Sequence, residues 1–218
     1  MTVQEIGEPN ESLSTQLYRT LREQIIIGQH PQGSLIKEAK LAADLHVSRI
    51  PLREAMPQLE NDGFVRTLPR RSTRVAEWTA SSILELFDVR LSLEVLAARL
   101  AAHNAAAGAS TAPLAEAIEV AHAAVDSGTR LEIAEAHTIF HQRIVELADS
   151  ELLNSMMRAV FGRMTWLFYL TAERDPRTQS HEHDDLMAVI ASGNERLAES
   201  VAYAHIEKGR VPSLSLML

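Results

Sequence analysis

Residues 35–64, LIKEAKLAADLHVSRIPLREAMPQLENDGF, decide the fold of the N-terminal part of this chain. Leu41 and Leu45 recur at the spacing of one helix face, and a short turn follows them. A second helical pattern begins after Ser48, and its first turn contains Pro51, where a missing N–H costs nothing. We expect the Ser48 hydroxyl to cap this helix by accepting an amide hydrogen bond. The stretch therefore predicts two helices joined by a tight turn.

Two arginines stand near the start of the second helix. Arg49 and Arg53 are one turn apart, so their side chains project from the same face. In a helix-turn-helix, this part of the second helix enters the major groove, where arginine bonds guanine O6 and N7 or grips phosphate. An arginine pair at this spacing is also common on solvated helices, so the pair alone does not establish DNA binding.

This region resembles the N-terminal winged helix-turn-helix of the GntR family of bacterial transcription regulators. The resemblance rests on LAADLHVSRIPLREAMPQLENDGFV at 41–65 and extends to LYRTLREQIIIG at 17–28. It continues through RTLPRRSTRV at 66–75, which is similar to the basic wing hairpin of the family. The resemblance implies five DNA contacts, three from the helix and two from the wing: Ser48, Arg49, Arg53, Arg70 and Arg71.

Four residues depart from the family pattern. His46 replaces the usual turn glycine, Ser72 replaces a wing glycine, and Ala39 stands where several relatives have a further DNA-reading arginine. Pro57, at the ninth helical position, cannot donate to the Arg53 carbonyl and is expected to kink the helix at a cost of about 3 kcal/mol.

The distribution of charge agrees with a DNA partner once the chain is divided. The whole sequence has 21 Lys and Arg against 29 Asp and Glu. Residues 13–77, however, contain 10 basic and 7 acidic side chains, whereas residues 78–218 contain 11 and 19. The local field, and not the net charge, steers an encounter with DNA.

Composition also predicts where the protein works. The chain has no cysteine, which excludes disulfides and cysteine metal sites. No apolar run reaches the ~18 residues of a membrane span, and residues 1–10 lack the layout of a signal peptide. We expect a cytoplasmic protein with no membrane partner. Its predicted organisation is a flexible tail at 1–12, a winged helix-turn-helix domain at 13–77 and an all-helical domain at 78–218.

The fold class predicted for the whole chain is mainly α, with a small β-hairpin wing in the first domain. Breakers such as Ser127-Gly128-Thr129 divide the second domain into six helical segments, which favours an antiparallel six-helix bundle. The predicted segments are Ser81–Asn104, Thr111–Ser127, Arg130–Ala148, Glu151–Glu173, Arg177–Ser192 and Asn194–Gly209.

Four histidines of this second domain form a pattern that can bind a metal. His137 and His141 are four residues apart on one predicted helix, so both imidazoles face the same way. His183 lies on the fifth predicted segment and His205 on the sixth. Helices that converge on a bundle core can bring all four histidines to a common ion. The alternative is that these are ordinary surface or core histidines.

The second domain resembles the FCD ligand-binding domain of the FadR branch of GntR regulators, in its shorter, VanR-like subgroup with six helices. The resemblance implies that His137, His141, His183 and His205 bind a divalent ion. His137 occupies the place where relatives usually have aspartate. Replacing an oxygen ligand by nitrogen shifts the expected ion from Mg²⁺ or Mn²⁺ to Zn²⁺, with Ni²⁺ or Co²⁺ as alternatives.

Arg90 matches an arginine that family members often place at the ligand cavity. There it could hold the carboxylate of an effector in forked geometry. An ion pair with Asp88 or Glu94 is an equally good reading of the same residue.

The combined prediction is a ligand-responsive repressor, not an enzyme. It binds a pseudo-palindromic double-stranded operator as a homodimer, and a small carboxylate effector bound at or near the metal releases it. Two alternatives remain. In a metalloenzyme, the histidines with Glu182, Asp184 or Asp185 would activate water. In the other, the protein binds DNA and its second domain only dimerises.

Overall fold

The computed structural model of the chain describes residues 11–68, 72–171 and 176–217, and it divides between Trp78 and Thr79 into two compact units. The fold is mainly helical with one small sheet, which confirms the predicted fold class. The N-terminal unit contains α1 (Leu13–Ile26), β1 (Leu35–Ile36), α2 (Glu38–Asp44), α3 (Arg49–Asn61), β2 (Val65–Leu68) and β3 (Ser72–Val75).

Helices α1 and α3 pack against each other and supply most of the N-terminal core. Leu17 and Leu21 of α1 and Leu52 and Leu59 of α3 are essentially inaccessible to solvent. Helix α3 continues through Pro57 to Asn61 and is not broken there. Its end is set by Gly63, whose φ of 79° is a backbone conformation that glycine adopts without steric cost.

The turn between α2 and α3 contains His46 with a φ of 55°. This is the left-handed region, in which a side chain brings its Cβ too close to the neighbouring carbonyl. The glycine expected here from the family pattern would meet no such penalty, so the departure at His46 stores local strain.

The three strands form an antiparallel sheet in the order β1-β3-β2. Strands β2 and β3 pair from Val65 opposite Val75 to Leu68 opposite Ser72, as a wing hairpin requires. The tip of the hairpin, with Arg70 and Arg71, lies outside the described residues.

The C-terminal unit contains six α-helices among its described residues, as the sequence predicts. They are α4 (Ala80–Ala106), α5 (Ala112–Ser127), α6 (Arg130–Leu147), α7 (Glu151–Leu170), α8 (Pro176–Ala191) and α9 (Glu195–Leu214), followed by a 3₁₀ turn (Ser215–Met217). None of the described helices is long and apolar enough to cross a membrane.

The predicted end of the last helix at Gly209 is wrong, because α9 runs on to Leu214. Pro212 interrupts the backbone hydrogen bonding there, but the Ser213 hydroxyl donates to the Gly209 carbonyl at 2.8 Å and Ser213 is buried. The last turn therefore belongs to the packed bundle. It forms part of the pocket described below.

Small side chains allow the bundle helices to approach closely. Ala97, Ala98, Ala101 and Ala102 of α4 are fully buried, and α4 makes its most extensive contacts with α9. Because α6 and α8 also pack against α4, side chains from all four helices meet in the interior of the unit. This interior is where the candidate site lies.

Candidate functional site

Helix α3 begins where the sequence predicts, but its first turn is held differently. Ser48 occupies the N-cap position with extended backbone angles, yet its hydroxyl makes no capping hydrogen bond. The predicted cap is wrong because the third helical residue, whose amide is one usual partner of such a hydroxyl, is Pro51 and has no N–H. The Ser48 side chain is exposed instead.

Arg49 and Arg53 lie one turn apart on the exposed side of α3, and both approach the same carboxylate. Glu38 Oε2, from the first turn of α2, lies 3.1 Å from Arg53 Nε and 3.7 Å from Arg49 Nη2. The two arginine side chains are 54% and 61% exposed. The sequence pattern indicates the two arginines and places Glu38 in the first turn of α2, but it does not indicate that Glu38 contacts them.

The wing hairpin carries a second pair of cations. The register places Arg66 directly opposite Arg74, and both side chains are exposed. Like charges at opposed strand positions destabilise a sheet. A bound polyanion would reduce the repulsion between these two arginines. The opposition of Arg66 and Arg74 depends on the strand register, which the sequence alone does not indicate.

Three histidines converge in the interior of the C-terminal unit. His141 of α6, His183 of α8 and His205 of α9 are buried, and each offers a ring nitrogen within 4.8 Å of those of the other two. The Nε2 atoms of His141 and His205 are 3.4 Å apart. These three residues are called the histidine cluster below.

His137 is beside this cluster but is not one of its three members. Its ring lies edge-on to that of His183, with 5.0 Å between the ring centroids, and it lines the same pocket. His181, by contrast, is exposed and its Nδ1 lies 2.7 Å from the Arg177 carbonyl oxygen. Residues two positions apart on a helix point in different directions, so His181 faces away from the cluster to which His183 belongs.

Two carboxylates stand behind the histidine cluster. Glu94 Oε2 lies 2.6 Å from His141 Nδ1, and Glu182 Oε2 lies 3.1 Å from His205 Nδ1. When a carboxylate such as Glu182 accepts from the Nδ1 of His205, the lone pair of Nε2 stays directed at the centre, which is the usual arrangement behind metal-bound histidines. Sequence reasoning named Glu182 only as a base and Glu94 only as an ion-pair partner.

Burial and these contacts determine the charges of the site. Burial lowers the pKa of His183 well below its ordinary value, and the neighbouring His205 and His141 lower it further. Burial also lowers the pKa of His205 to about 4, against the opposing effect of Glu182. For Glu94, burial raises the pKa, but Arg90 and His141 outweigh it and bring the value to about 2. At neutral pH the two imidazoles are uncharged and the carboxylate is ionised.

The histidine cluster opens onto a small pocket with about 30 Å³ of free space. Arg90 lies on its wall with its side chain 3% exposed, and Arg90 Nε is 2.5 Å from Glu94 Oε1. Its guanidinium carbon is 5.4 and 5.2 Å from the ring centroids of Phe87 and Phe168. Both readings of Arg90 thus fit: it pairs with Glu94 through Nε, and its Nη groups are the donors left for a pocket ligand.

The residues present fit a divalent metal ion. Within the described part of the chain, no hydrogen-bond partner reaches the buried Nδ1 of His183. Three buried imidazoles are donors that suit Zn²⁺, Ni²⁺ or Co²⁺ better than Mg²⁺, and the pocket leaves room for a further ligand.

Comparisons with known proteins agree with both units. Residues 13–75 match the family described as bacterial regulatory proteins, gntR family, and residues 85–208 match the FCD domain. The Nta operon transcriptional regulator of Aminobacter aminovorans is 30% identical over 81% of this chain and 82% of its own length. The HTH-type transcriptional repressor RspR of Escherichia coli (strain K12) is 21% identical over 95% of this chain and 92% of its own.

Solved structures show the same fold. A GntR transcriptional regulator from Rhodococcus sp. RHA1 superposes with a TM-score of 0.78 at 24% identity, over 94% of this chain and 99% of its own. The metal-free FCD domain of TM0439 gives a TM-score of 0.55 at 18% identity, over 65% of this chain and 98% of its own. The chain therefore belongs to the GntR family of bacterial transcription regulators and carries a C-terminal FCD domain.

Proposed function

We propose that this regulator is a metal-containing repressor that binds a pseudo-palindromic operator as a homodimer and leaves it when a small carboxylate binds in the FCD domain. One observation carries the proposal. Three buried histidines place ring nitrogens within 4.8 Å of one another, in a pocket that Arg90 also lines. A metal-coordinating triad beside a buried guanidinium is suited to an anionic ligand.

The ion is Zn²⁺ in this proposal, with Ni²⁺ and Co²⁺ as the other candidates. His141, His183 and His205 would hold it, and His137, whose ring centroid lies 5.0 Å from that of His183, is proposed as the fourth ligand. When bound, the ion would supply positive charge to the pocket. Glu94 and Glu182 orient His141 and His205 and offset part of the charge of the ion, so the all-nitrogen ligand set is not left uncompensated.

The effector would be a small carboxylate, attracted by the charge of the ion and bound by the Nη groups of Arg90. The free space in the pocket is only about 30 Å³, which favours a small effector. To control transcription, it must bind with different affinities to the DNA-competent and DNA-incompetent states of the dimer, since equal affinity shifts nothing.

DNA is read by Ser48, Arg49 and Arg53 in the major groove, and Arg70 and Arg71 of the wing add contacts. Two copies of the recognition helix in a homodimer would read two half-sites about one helical turn apart. The repressor assignment is supported by RspR, a relative named as a transcriptional repressor.

The metalloenzyme alternative is disfavoured by the positions of the acidic side chains. Glu182 pairs with His205 and lies 3.4 Å from Lys208, while Asp184 lies 3.3 Å from His122. Asp185 is exposed. None of these three carboxylates is therefore placed to act as a base on a water molecule bound at the histidine cluster. The alternative in which the second domain only dimerises leaves the burial of three histidines unexplained.

The proposal is tested by the release of DNA. A duplex selected by the full chain from random 30-base-pair DNA serves as the operator, and two- to six-carbon mono-, di- and tricarboxylates serve as probes. We expect at least one carboxylate to weaken binding by about 5-fold or more with Zn²⁺ present. That effect should disappear after chelation, and Arg90→Lys, which keeps the charge but loses the fork, should reduce it.

The DNA arm of the proposal has its own controls. Arg49→Ala and Arg53→Ala should each weaken binding to the selected duplex by about 1–3 kcal/mol. Carboxylate-induced release that persists unchanged without metal would contradict the role of the ion. Wild-type affinity in both arginine variants would contradict the recognition-helix assignment.

A further inference from the structure

The contact between Glu38 and the two recognition arginines has no role in the function described so far. Glu38 comes from α2, its side chain is 30% exposed, and one of its oxygens lies within 3.7 Å of both arginines. An acidic group on a surface that faces phosphates lowers the affinity for every DNA sequence. The contact is also poorly explained by stability, because exposed ion pairs contribute little to it.

The geometry leaves the base-reading edge of one arginine open. Arg53 contacts Glu38 through Nε, so Nη1 and Nη2 stay available for the O6 and N7 acceptors of guanine. A contact with a DNA phosphate requires a different position of the guanidinium. It draws the guanidinium toward the DNA backbone, breaks the pair with Glu38 and brings two anions together.

We propose that Glu38 is a specificity-determining residue, which holds Arg53 and Arg49 for base reading and penalises their transfer to phosphates. The carboxylate therefore raises the ratio of operator to non-operator affinity mainly by weakening non-operator binding. This inference rests on the proposed placement of α3 in the major groove.

The variant that tests it is Glu38→Gln in the full chain. The amide oxygen of glutamine still accepts from Arg53 Nε, so the orientation is kept while the charge is lost. We expect affinity for a scrambled duplex to rise about three- to tenfold at about 0.1 M salt, and affinity for the selected duplex to change less. The salt dependence of non-operator binding should steepen by about one phosphate contact.

Glu54→Gln is the matched control. It removes the same charge from α3 itself, and no ion pair joins Glu54 to either arginine among the described residues. We expect it to leave the affinity ratio near that of the wild type. In an Arg53→Ala background, Glu38→Gln should lose most of its effect, because the pair it breaks is then already incomplete.

Equal effects of Glu38→Gln and Glu54→Gln on the affinity ratio would overturn the inference, as would an equal rise on both duplexes. Either result, with Arg49→Ala and Arg53→Ala still weakening operator binding, leaves the proposed DNA-reading function intact. If the arginine variants bind the selected duplex like the wild type, the function itself fails.

Discussion

An arginine meets a glutamate in each of the two units, in opposite surroundings. Arg53 lies 3.1 Å from Glu38 with its side chain 61% exposed, whereas Arg90 lies 2.5 Å from Glu94 with its side chain 3% exposed. Water and salt screen the first pair, so it is worth about 0–1 kcal/mol and can be exchanged for another partner. The second pair has no water to replace either member, which makes it a permanent part of the fold.

This difference in exposure corresponds to different roles of the two units. A DNA-reading surface must release its internal contacts each time it binds, and its cations are accordingly exposed. A buried site must keep its charges in place through every cycle, and there Arg90, Glu94 and His141 form a continuous chain of contacts. Substitutions in the first group should change binding with little effect on folding, and substitutions in the second should change both.

The largest expected effect is on stability, from Glu94→Gln. Loss of this carboxylate leaves the buried Arg90 without its counter-charge, so the free energy of unfolding should fall by about 3–5 kcal/mol. The matched substitution Glu38→Gln should change it by less than about 1 kcal/mol. Urea denaturation of the metal-free full chain, followed by circular dichroism, measures both. Similar losses in the two variants would remove the distinction between exposed and buried pairs.

A smaller effect is expected at a partly buried polar contact of the DNA-binding unit. The Tyr18 hydroxyl donates to Asp62 at 2.5 Å, and burial together with Asp62 raises the pKa of Tyr18 above its ordinary value of 10. Below pH 10 this contribution to stability is complete. It is lost as the pH rises above 10, because only the unfolded chain then releases the proton.

Tyr18→Phe should therefore lower the free energy of unfolding by about 1–2 kcal/mol at neutral pH. It should also lose less stability than the wild type between neutral pH and about pH 11. Parallel pH profiles for the two proteins would show that Tyr18 does not cause the alkaline loss. In that case the Tyr18–Asp62 contact would not be a strong polar contact, in contrast to the Arg90–Glu94 pair of the helical unit.

The smallest effect is a gain in stability, from His46→Gly. Glycine at a φ of 55° avoids the penalty that a Cβ meets, so the variant should be more stable by about 1 kcal/mol. His46→Ala, which keeps a Cβ, should show no such gain. Thermal melts of both variants decide the matter, and equal stabilities would mean that the turn is not strained.

Local features of the fold could be predicted from the sequence. Gly63 marks the end of α3, and breakers such as Gly128 separate the helices of the bundle. The i, i+4 spacing of His137 and His141 placed both on one face of α6. The cap predicted for Ser48 does not form, because Pro51 lacks the amide that its hydroxyl would bind.

Contacts between distant helices could not be predicted in the same way. Glu94 reaches His141 only because α4 and α6 pack with those faces together. Nothing in the spacing of His137 distinguishes it from His141, yet only His141 has a nitrogen in the three-residue cluster. The rotation of each helix within the bundle decides these points, and periodicity does not determine rotation to within one side chain.

The most direct test of the account is the metal content of the full chain. After incubation with Zn²⁺ and desalting, elemental analysis should find about one ion per chain in the wild type and in His181→Ala, whose exposed imidazole lies outside the cluster. His183→Ala and His141→Ala should retain almost none. Equal metal in His183→Ala and His181→Ala, or no stoichiometric ion in the wild type with Zn²⁺, Ni²⁺ or Co²⁺, would contradict the assignment of the buried histidine cluster as a metal centre.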